Sequence, residues 1–398
     1  MEMRKIQEAL RNEKISGWLF CDFHNRDRIA YEILGLDFKK PNSRRWFYYI
    51  PSRGKPKKLV SAVEKGKLDD LPGRRNVYVS WKELHGFLGK ILGSKKKIAM
   101  QYSPKNNVPT VSFADAGTVE LVRSFGHKVV SSAGLVQSCL SVIGGEGYKT
   151  HKEAALLVDR IRAEAFGQIG KAIRENKILT EYDVQQYIVR RFAEEGLIAD
   201  SPPIVGTNEH PADPHFELSP ENARPFKIGD TFLVDLWAKR NTPGSIYYDI
   251  TWVGYIGSTP PEKYRRIFEV VSQARDTAVQ FVKDKFEKRQ PCYGWQVDDA
   301  ARNIVKKAGY GKYFVHRTGH SIDEEGHGSG VNIDNLETRD DRKLMTGSCF
   351  SIEPGIYLEG EMAVRSEINV FIREGGVPEV TSEVQKEIVL IDNNFPTN

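Results

Sequence analysis

At 398 residues the chain is too long for one ordinary hydrophobic core, so two domains are expected. Its 40% hydrophobic and 28% charged residues fit a soluble globular enzyme, and four scattered cysteines (Cys21, Cys139, Cys292, Cys349) without a CxxC pair fit buried thiols better than a disulfide framework. The net charge is +5, and its early clusters (Lys39, Lys40, Arg44, Arg45; Lys55, Lys57, Lys58; Lys95 to Lys97) read as a solvated face, because no aromatic-interleaved nucleic-acid motif accompanies them.

The N-terminus MEMRKIQEALRNEK reads as an amphipathic helix over residues 3–13, not as a secretory leader, and no apolar run is long enough to cross a membrane. A cytoplasmic protein is expected. Gly17 to Cys21, Trp46 to Ile50, Leu59 to Ala62 and Ile98 to Gln101 read as short strands, and Val119 to Phe125 as a short helix ending before Gly126. Residues 1–142 are therefore predicted as an α/β domain with no catalytic cluster of its own. IGGEGYKT, residues 143–150, reads as a Gly-rich hinge, and a second domain is predicted over 150–398. Four helices are predicted there: His151 to Asn176, one capped by Thr180 with Asp183 at its third position, Pro260 to Arg289, and Trp295 to Ala308.

The second domain carries an internal repeat. GDTFLVDLWAKRNTPGSIYYDI recurs as GSCFSIEPGIYLEGEMAVRSEI, so that Gly229, Phe232, Asp235, Asp249 and Ile250 map onto Gly347, Phe350, Glu353, Glu367 and Ile368 at one offset of 118. Each copy holds two acids 14 residues apart. Two such halves facing each other would gather four carboxylates around one centre. All four lie in apolar, strand-like surroundings, where an unpaired carboxylate is costly. Pairing with nearby bases is the plain alternative, but candidates are few, chiefly Arg365; two divalent cations would neutralise the four charges. Three histidines, His316, His320 and His327, fall within VHRTGHSIDEEGH, with Gly319 and Gly326 allowing close backbone approach. His215 in ADPHFEL is a fourth candidate. One imidazole with four carboxylates suits Mn(II) first, with Zn(II) or Co(II) as alternatives, and bridging carboxylates can hold two ions about 3.5–4 Å apart.

The ordered set Asp235, Asp249, His320, Glu353, Glu367, set in PHF, TGHSIDEEGH, IEPGIY and VRSEI, resembles the pita-bread metallopeptidases: aminopeptidase P, prolidase and methionine aminopeptidase, with creatinase as a metal-free relative. The resemblance covers nearly the whole chain. It implies a creatinase-like domain over 1–142 and, over 150–398, an α+β pita-bread catalytic domain with a pseudo-twofold repeat. It implies five metal ligands, with Asp249 and Glu367 bridging, and a hydroxide held between the two ions that attacks the scissile carbonyl. Glu353 would double as proton shuttle, His327 would hydrogen-bond the tetrahedral intermediate, His215 would contact substrate, His316 would line the proline pocket, and Arg365 would be the substrate-binding arginine found near the metal site in proline-specific members. Trp237, two residues past Asp235, and Arg317, just after His316, stand where relatives commonly have smaller residues.

The expected activity is that of an Xaa-Pro aminopeptidase, a metallo-exopeptidase cleaving after the first residue of peptides with proline second. Two alternatives stand beside it: an Xaa-Pro dipeptidase, for which Arg317 would hold the substrate carboxylate, and a non-catalytic pita-bread binding protein, which an intact ligand set argues against. A homodimer is expected from the resemblance.

Overall fold

The computed structural model describes residues 3–213, 216–392 and 395, and the chain divides into two units, Met1–Leu140 and Ser141–Asn398. In the first unit, the elements are α1 (Met3–Asn12), β1 (Gly17–Asp22), α2 (Arg28–Leu34), β2 (Trp46–Pro51), β3 (Lys57–Ser61), β4 (Arg74–Tyr78), α3 (Trp81–Leu92), β5 (Lys97–Met100), α4 (Ala116–Ser124), β6 (Lys128–Ser131) and α5 (Ala133–Leu140). The strands form one sheet in the order β4-β3-β2-β1-β5-β6. Side chains alternate across it. Trp18, Phe20 and Tyr48 pack with Ile6, Leu10, Ala30 and Val136 on one face. Leu19, Phe47 and Tyr49 pack with Leu84, Leu88 and Val122 on the other. Both faces are covered by helices, which is why these strands read as unbroken apolar runs rather than alternating ones.

The second unit holds α6 (Gly145–Arg174), α7 (Glu181–Glu194), β7 (Leu197–Ile198), β8 (Ile204–Thr207), β9 (Thr231–Arg240), β10 (Tyr248–Ile256), α8 (Glu262–Glu287), α9 (Gly294–Lys307), β11 (Ser321–Ile322), β12 (Cys349–Ile352), β13 (Gly355–Leu358), β14 (Met362–Arg365), β15 (Ile368–Arg373), β16 (Val377–Val380) and β17 (Val389–Ile391). The residues expected to hinge do not do so: α6 begins at Gly145, capped by Gly144. A Cβ at Gly147 would stand 2.7 Å from Ile143 Cγ2 and 3.1 Å from Ile246 Cγ1, so this glycine lets the first turn of the helix pack closely. Thr180 and Asp183 form the expected reciprocal cap of α7, with Thr180 N donating to Asp183 Oδ2 at 2.8 Å and Asp183 N to Thr180 Oγ1 at 3.2 Å.

Each helix pair backs one sheet. Ala154, Val158, Ile161 and Ala165 of α6, at helical spacing, bury against Val234, Leu236 and Ile250 of the sheet built on β9 and β10. Ile267, Val271, Ala274 and Ala278 of α8 bury against Ile352, Ile368 and Val370 of the sheet ordered β11-β12-β15-β16. The two copies of the repeat are thus two helix-backed sheets. Their 14-residue acidic spacing is bridged differently: by the loop 241–247 in the first, and by the separate β13–β14 hairpin in the second.

The sheets meet along β10 and β15. The Asn369 side chain closes a two-point bond with the backbone of Asp249, Nδ2 donating to its carbonyl at 2.6 Å and Oδ1 accepting its N–H at 3.0 Å. Glu367 N donates to Thr251 O at 3.2 Å. All four cysteines are free thiols, and among the described residues no helix is long and apolar enough to cross a membrane.

Candidate metal centre

Register places the acids. On the β9–β10 pair Asp235 lies opposite Thr251 and Asp249 opposite Trp237, so these four side chains share one face. On the other sheet Ile352 pairs with Ile368; Glu353 comes just after the first of these strands and Glu367 just before the second. His320 joins them from the segment before β11. Ser351 N donates to His320 O at 2.9 Å, and Glu353 N donates to Thr318 O at 2.8 Å. That approach requires Gly319: a Cβ there would lie 2.0 Å from Ser351 O. Gly326 has no such constraint, its nearest neighbour being 3.8 Å from a Cβ, and it leaves room in the cleft instead.

Ligand atoms of Asp249, His320 and Glu367 lie within 4.8 Å of one another. His320 Nε2 stands 3.5 Å from Asp249 Oδ2 and 3.4 Å from Glu353 Oε1. Its Nδ1 lies 3.1 Å from Ser321 O; a carbonyl only accepts, so the proton belongs on Nδ1 and the Nε2 lone pair faces the carboxylates. Asp235 Oδ1, Asp249 Oδ1 and Glu367 Oε1 are buried without a partner among the described residues. Acceptors facing acceptors in a buried site need cations between them. The hard oxygen donors, one neutral imidazole and three orphaned oxygens fit divalent metal ions.

Electrostatics agree. Burial raises Asp235 to about 7, and the neighbouring Asp249 and Glu353 charges add to this against the opposing pull of Arg365. Burial and neighbouring carboxylates push Asp249 and Glu367 well above the ordinary range. Burial works on Glu353 in the same sense, but His320, His316 and Arg365 overcome it and hold the carboxyl below its ordinary value.

The remaining expected residues fall as follows. Arg365 is buried and donates to Asp235 Oδ2, to Thr251 Oγ1 at 2.8 Å and to Tyr357 OH at 3.2 Å. It is therefore the base that pairs with one ligand acid, and it braces that acid from behind. His316 lines the cleft, with Nε2 2.7 Å from the Tyr357 hydroxyl and Nδ1 2.6 Å from Arg317 O. The His327 ring centroid is 4.3 Å from that of His320. His215 lies outside the described residues. Tyr357, Thr251, Ser351 and Asn369 were not singled out from sequence, although Tyr357 sits inside IEPGIY. Their roles come from partners far along the chain, as with Thr251 Oγ1 donating to Glu367 Oε2 at 2.8 Å. The cluster opens into a cleft of 680 Å³ whose lining also includes Asp200, Trp237, Arg317 and Glu337.

Two helix-backed sheets of one repeat, meeting on this ligand cluster, define a metallopeptidase of the pita-bread class. Residues 149–374 match metallopeptidase family M24, and the chain belongs to that family. It is similar to the Xaa-Pro dipeptidase of Pyrococcus furiosus, 29% identical over 238 residues, which is 60% of this chain and 62% of that one. The match thus spans under two thirds of that relative. Among solved structures it is similar in fold to dipeptidase PepE from Mycobacterium ulcerans, with TM-score 0.67, 23% identity, and coverage of 98% of this chain and 97% of that one. The X-prolyl aminopeptidase of Caenorhabditis elegans, described as a cytosolic enzyme with a di-nuclear active site, has TM-score 0.64 and 14% identity, covering 96% of this chain and 62% of that one.

Proposed function

We propose that the chain is a metal-dependent Xaa-Pro dipeptidase that holds two divalent cations, Mn(II) first among candidates, with Asp235, Asp249, His320, Glu353 and Glu367. The observation that carries the dipeptidase reading is Arg317. Its side chain lines the metal cleft, and its guanidinium has no hydrogen-bond or ion-pair partner among the described residues; its bonds are made by the backbone, the N–H donating to Glu337 Oε1 at 2.8 Å and the carbonyl accepting from His316 Nδ1 at 2.6 Å. Its charge reaches Glu353, His320 and His327. Arg365 already pairs its charge with Asp235 and is tied to Thr251 and Tyr357, so Arg317 is the cation we assign to a free carboxylate after proline. Together with the similarity to an Xaa-Pro dipeptidase, this supports the dipeptidase over the aminopeptidase expected from sequence.

Bound in this cluster, two divalent ions would polarise the scissile carbonyl and activate a water. The protein's own groups do the rest. Glu353, kept ionised, takes a proton and delivers it to the proline nitrogen, which has no N–H of its own. His327 hydrogen-bonds the oxygen on which charge develops. His316, fixed by Tyr357 and the Arg317 carbonyl, lines the space for the proline ring, and His215 is a further substrate contact. The homodimer and the cytoplasmic location are proposed on the family resemblance, the latter supported by the cytosolic nematode enzyme; light scattering at working concentration should give twice 45.1 kDa.

The test is turnover by metal-free protein with each metal added back, on Xaa-Pro dipeptides, Xaa-Pro-Xaa tripeptides and C-terminally amidated dipeptides. Only free dipeptides should be hydrolysed well, and Arg317→Ala should raise their KM by about tenfold or more while sparing kcat. Equal cleavage of amidated and longer substrates would return the reading to an aminopeptidase.

A further inference from the structure

Three acids that line the cleft, Asp200, Glu217 and Glu337, belong to no part of the ligand cluster, and Asp200 is the one bonded to Trp237 in the ligand row. Asp200 stands just after β7 and lines the cleft together with Trp237, Gly326 and His327. Trp237 Nε1 donates to Asp200 Oδ1 at 2.6 Å, and Ser201 Oγ donates to the same oxygen at 3.4 Å. Asp200 Oδ2 accepts from no described residue. It faces Gly326, where a Cβ would be 3.8 Å away, and the gap between them stays open because that position has no side chain.

The strand register gives this pair its meaning. Trp237 follows Asp235 by two residues on the same face of β9 and stands directly opposite Asp249. Opposed side chains on an antiparallel pair have Cβ atoms about 5 Å apart. The indole therefore starts in the row of candidate metal ligands and ends, through its N–H, on the Asp200 carboxylate. The negative charge of Asp200 is felt at both Asp249 and His327. Asp200 is exposed to the cleft, and its free oxygen can meet a cationic group carried by the substrate. In an Xaa-Pro dipeptide that group is the α-ammonium, two bonds from the scissile carbonyl carbon and so held at the margin of the cluster during cleavage.

We propose that Asp200 receives the free α-ammonium of the substrate through Oδ2, with Trp237 fixing the carboxylate through Oδ1, so that the cleft selects an unblocked N-terminus. This rests on the Xaa-Pro reading of the same site. Asp200 and Arg317 then make the cleft bipolar, matched to a zwitterionic dipeptide.

Asp200→Asn tests this, because the amide oxygen still accepts the indole N–H while the charge is gone. The measurements are KM and kcat for an Xaa-Pro dipeptide, the inhibition constant of its N-acetyl form as a competitor, and bound metal. In Asp200→Asn, KM for the free dipeptide should rise about tenfold, as for loss of a charge-assisted hydrogen bond. Its kcat and metal content should stay near wild type, and the inhibition constant of the acetylated competitor should not rise. Asp200→Glu should recover part of the loss, and Trp237→Phe should raise KM in the same direction by less. An unchanged KM in Asp200→Asn, or an equal weakening of free and acetylated ligands, overturns the inference while leaving the dipeptidase reading in place. If the wild-type enzyme hydrolyses no Xaa-Pro substrate with any metal, the underlying reading falls and the inference with it.

Discussion

His327 and Glu353 share the cleft but are asked for different chemistry. The proximity of the His320 imidazole, then burial, pushes His327 down to about 4, so it meets substrate as a neutral ring near pH 7. His327→Ala should keep its metal and lose about two to three orders of magnitude in kcat. Glu353→Gln should lose both metal affinity and turnover, and elemental analysis beside steady-state kinetics separates the two; metal loss in His327→Ala would contradict its assigned role. A second histidine governs stability. His151 is wholly buried, with Nδ1 2.6 Å from Tyr247 O and Nε2 2.7 Å from Thr381 Oγ1, and burial lowers it to about 4. Its unfolded pKa is near the ordinary 6.5, so the unfolded chain binds the proton more readily between these values. Its contribution is therefore fully present above pH ~6.5 and is lost as pH falls through ~4, by roughly 3 kcal/mol at most. Urea midpoints at pH 7 and pH 5 should diverge less in His151→Gln than in wild type. The five candidate ligands were legible in sequence because a duplicated spacing and a histidine cluster are local patterns. Thr251, Tyr357 and Asn369 were not, since Thr251 touches Glu367, and Asn369 touches Asp249, only across the seam between the two sheets.

Among the elements, α9 has the most direct hold on the cleft. Arg302 and Asp298 form a buried ion pair one turn apart, Nε to Oδ2 and Nη2 to Oδ1, both at 2.8 Å. The pair grips the loop that carries His316 and Arg317. Arg302 donates to Phe314 O at 3.0 Å and His316 O at 2.8 Å, while Asp298 Oδ1 accepts from Thr318 N at 3.0 Å and Thr318 Oγ1 at 2.6 Å. Removing one partner of a buried pair costs about 3–5 kcal/mol. Arg302→Met should show this in chemical denaturation. Asp298→Asn, which sets an amide donor against a donor and leaves Arg302 without its counter-charge, should destabilise in the same range, and the folded fraction should show a KM for Xaa-Pro raised more than kcat is lowered. The long helices of the second unit were legible from their apolar period and their stops. In the first unit α2, α3, α5, β4 and β6 were not read. For α3 the signal existed, a reciprocal cap between Ser80 and Glu83. For β4 it did not: Arg74–Tyr78 is a sheet-edge strand with its first two residues exposed, and no apolar run marks it. The supposed hinge was misread because three glycines in IGGEGYKT suggest flexibility, whereas packing of Gly147 between Ile143 and Ile246 fixes the start of α6.

On the scale of the whole second unit, the crowding of Asp235, Asp249, Glu353 and Glu367 makes stability depend on cations. Stripping metal with a chelator should lower Tm, and two equivalents of Mn(II) should restore it, with the rise set by ligand concentration over Kd. Asp249→Asn should do the reverse, raising the stability of the metal-free protein by about 1 kcal/mol while abolishing the gain on adding metal, since it removes a repulsive charge together with a ligand. A metal-free Tm unchanged by the substitution would count against crowding as the cause. The duplicated architecture was legible from the offset of 118 in sequence, but the way its halves join was not, because that depends on one amide. The Asn369 side chain binds the backbone of Asp249 at both its N–H and its carbonyl, and each sheet supplies two of the four carboxylates. Neither half can then open without tearing that bond and the ion cluster together. Native-state hydrogen exchange should accordingly find β10 and β15 in one cooperative unit, with equal opening free energies that rise in step when metal binds, rather than two lobes that breathe independently.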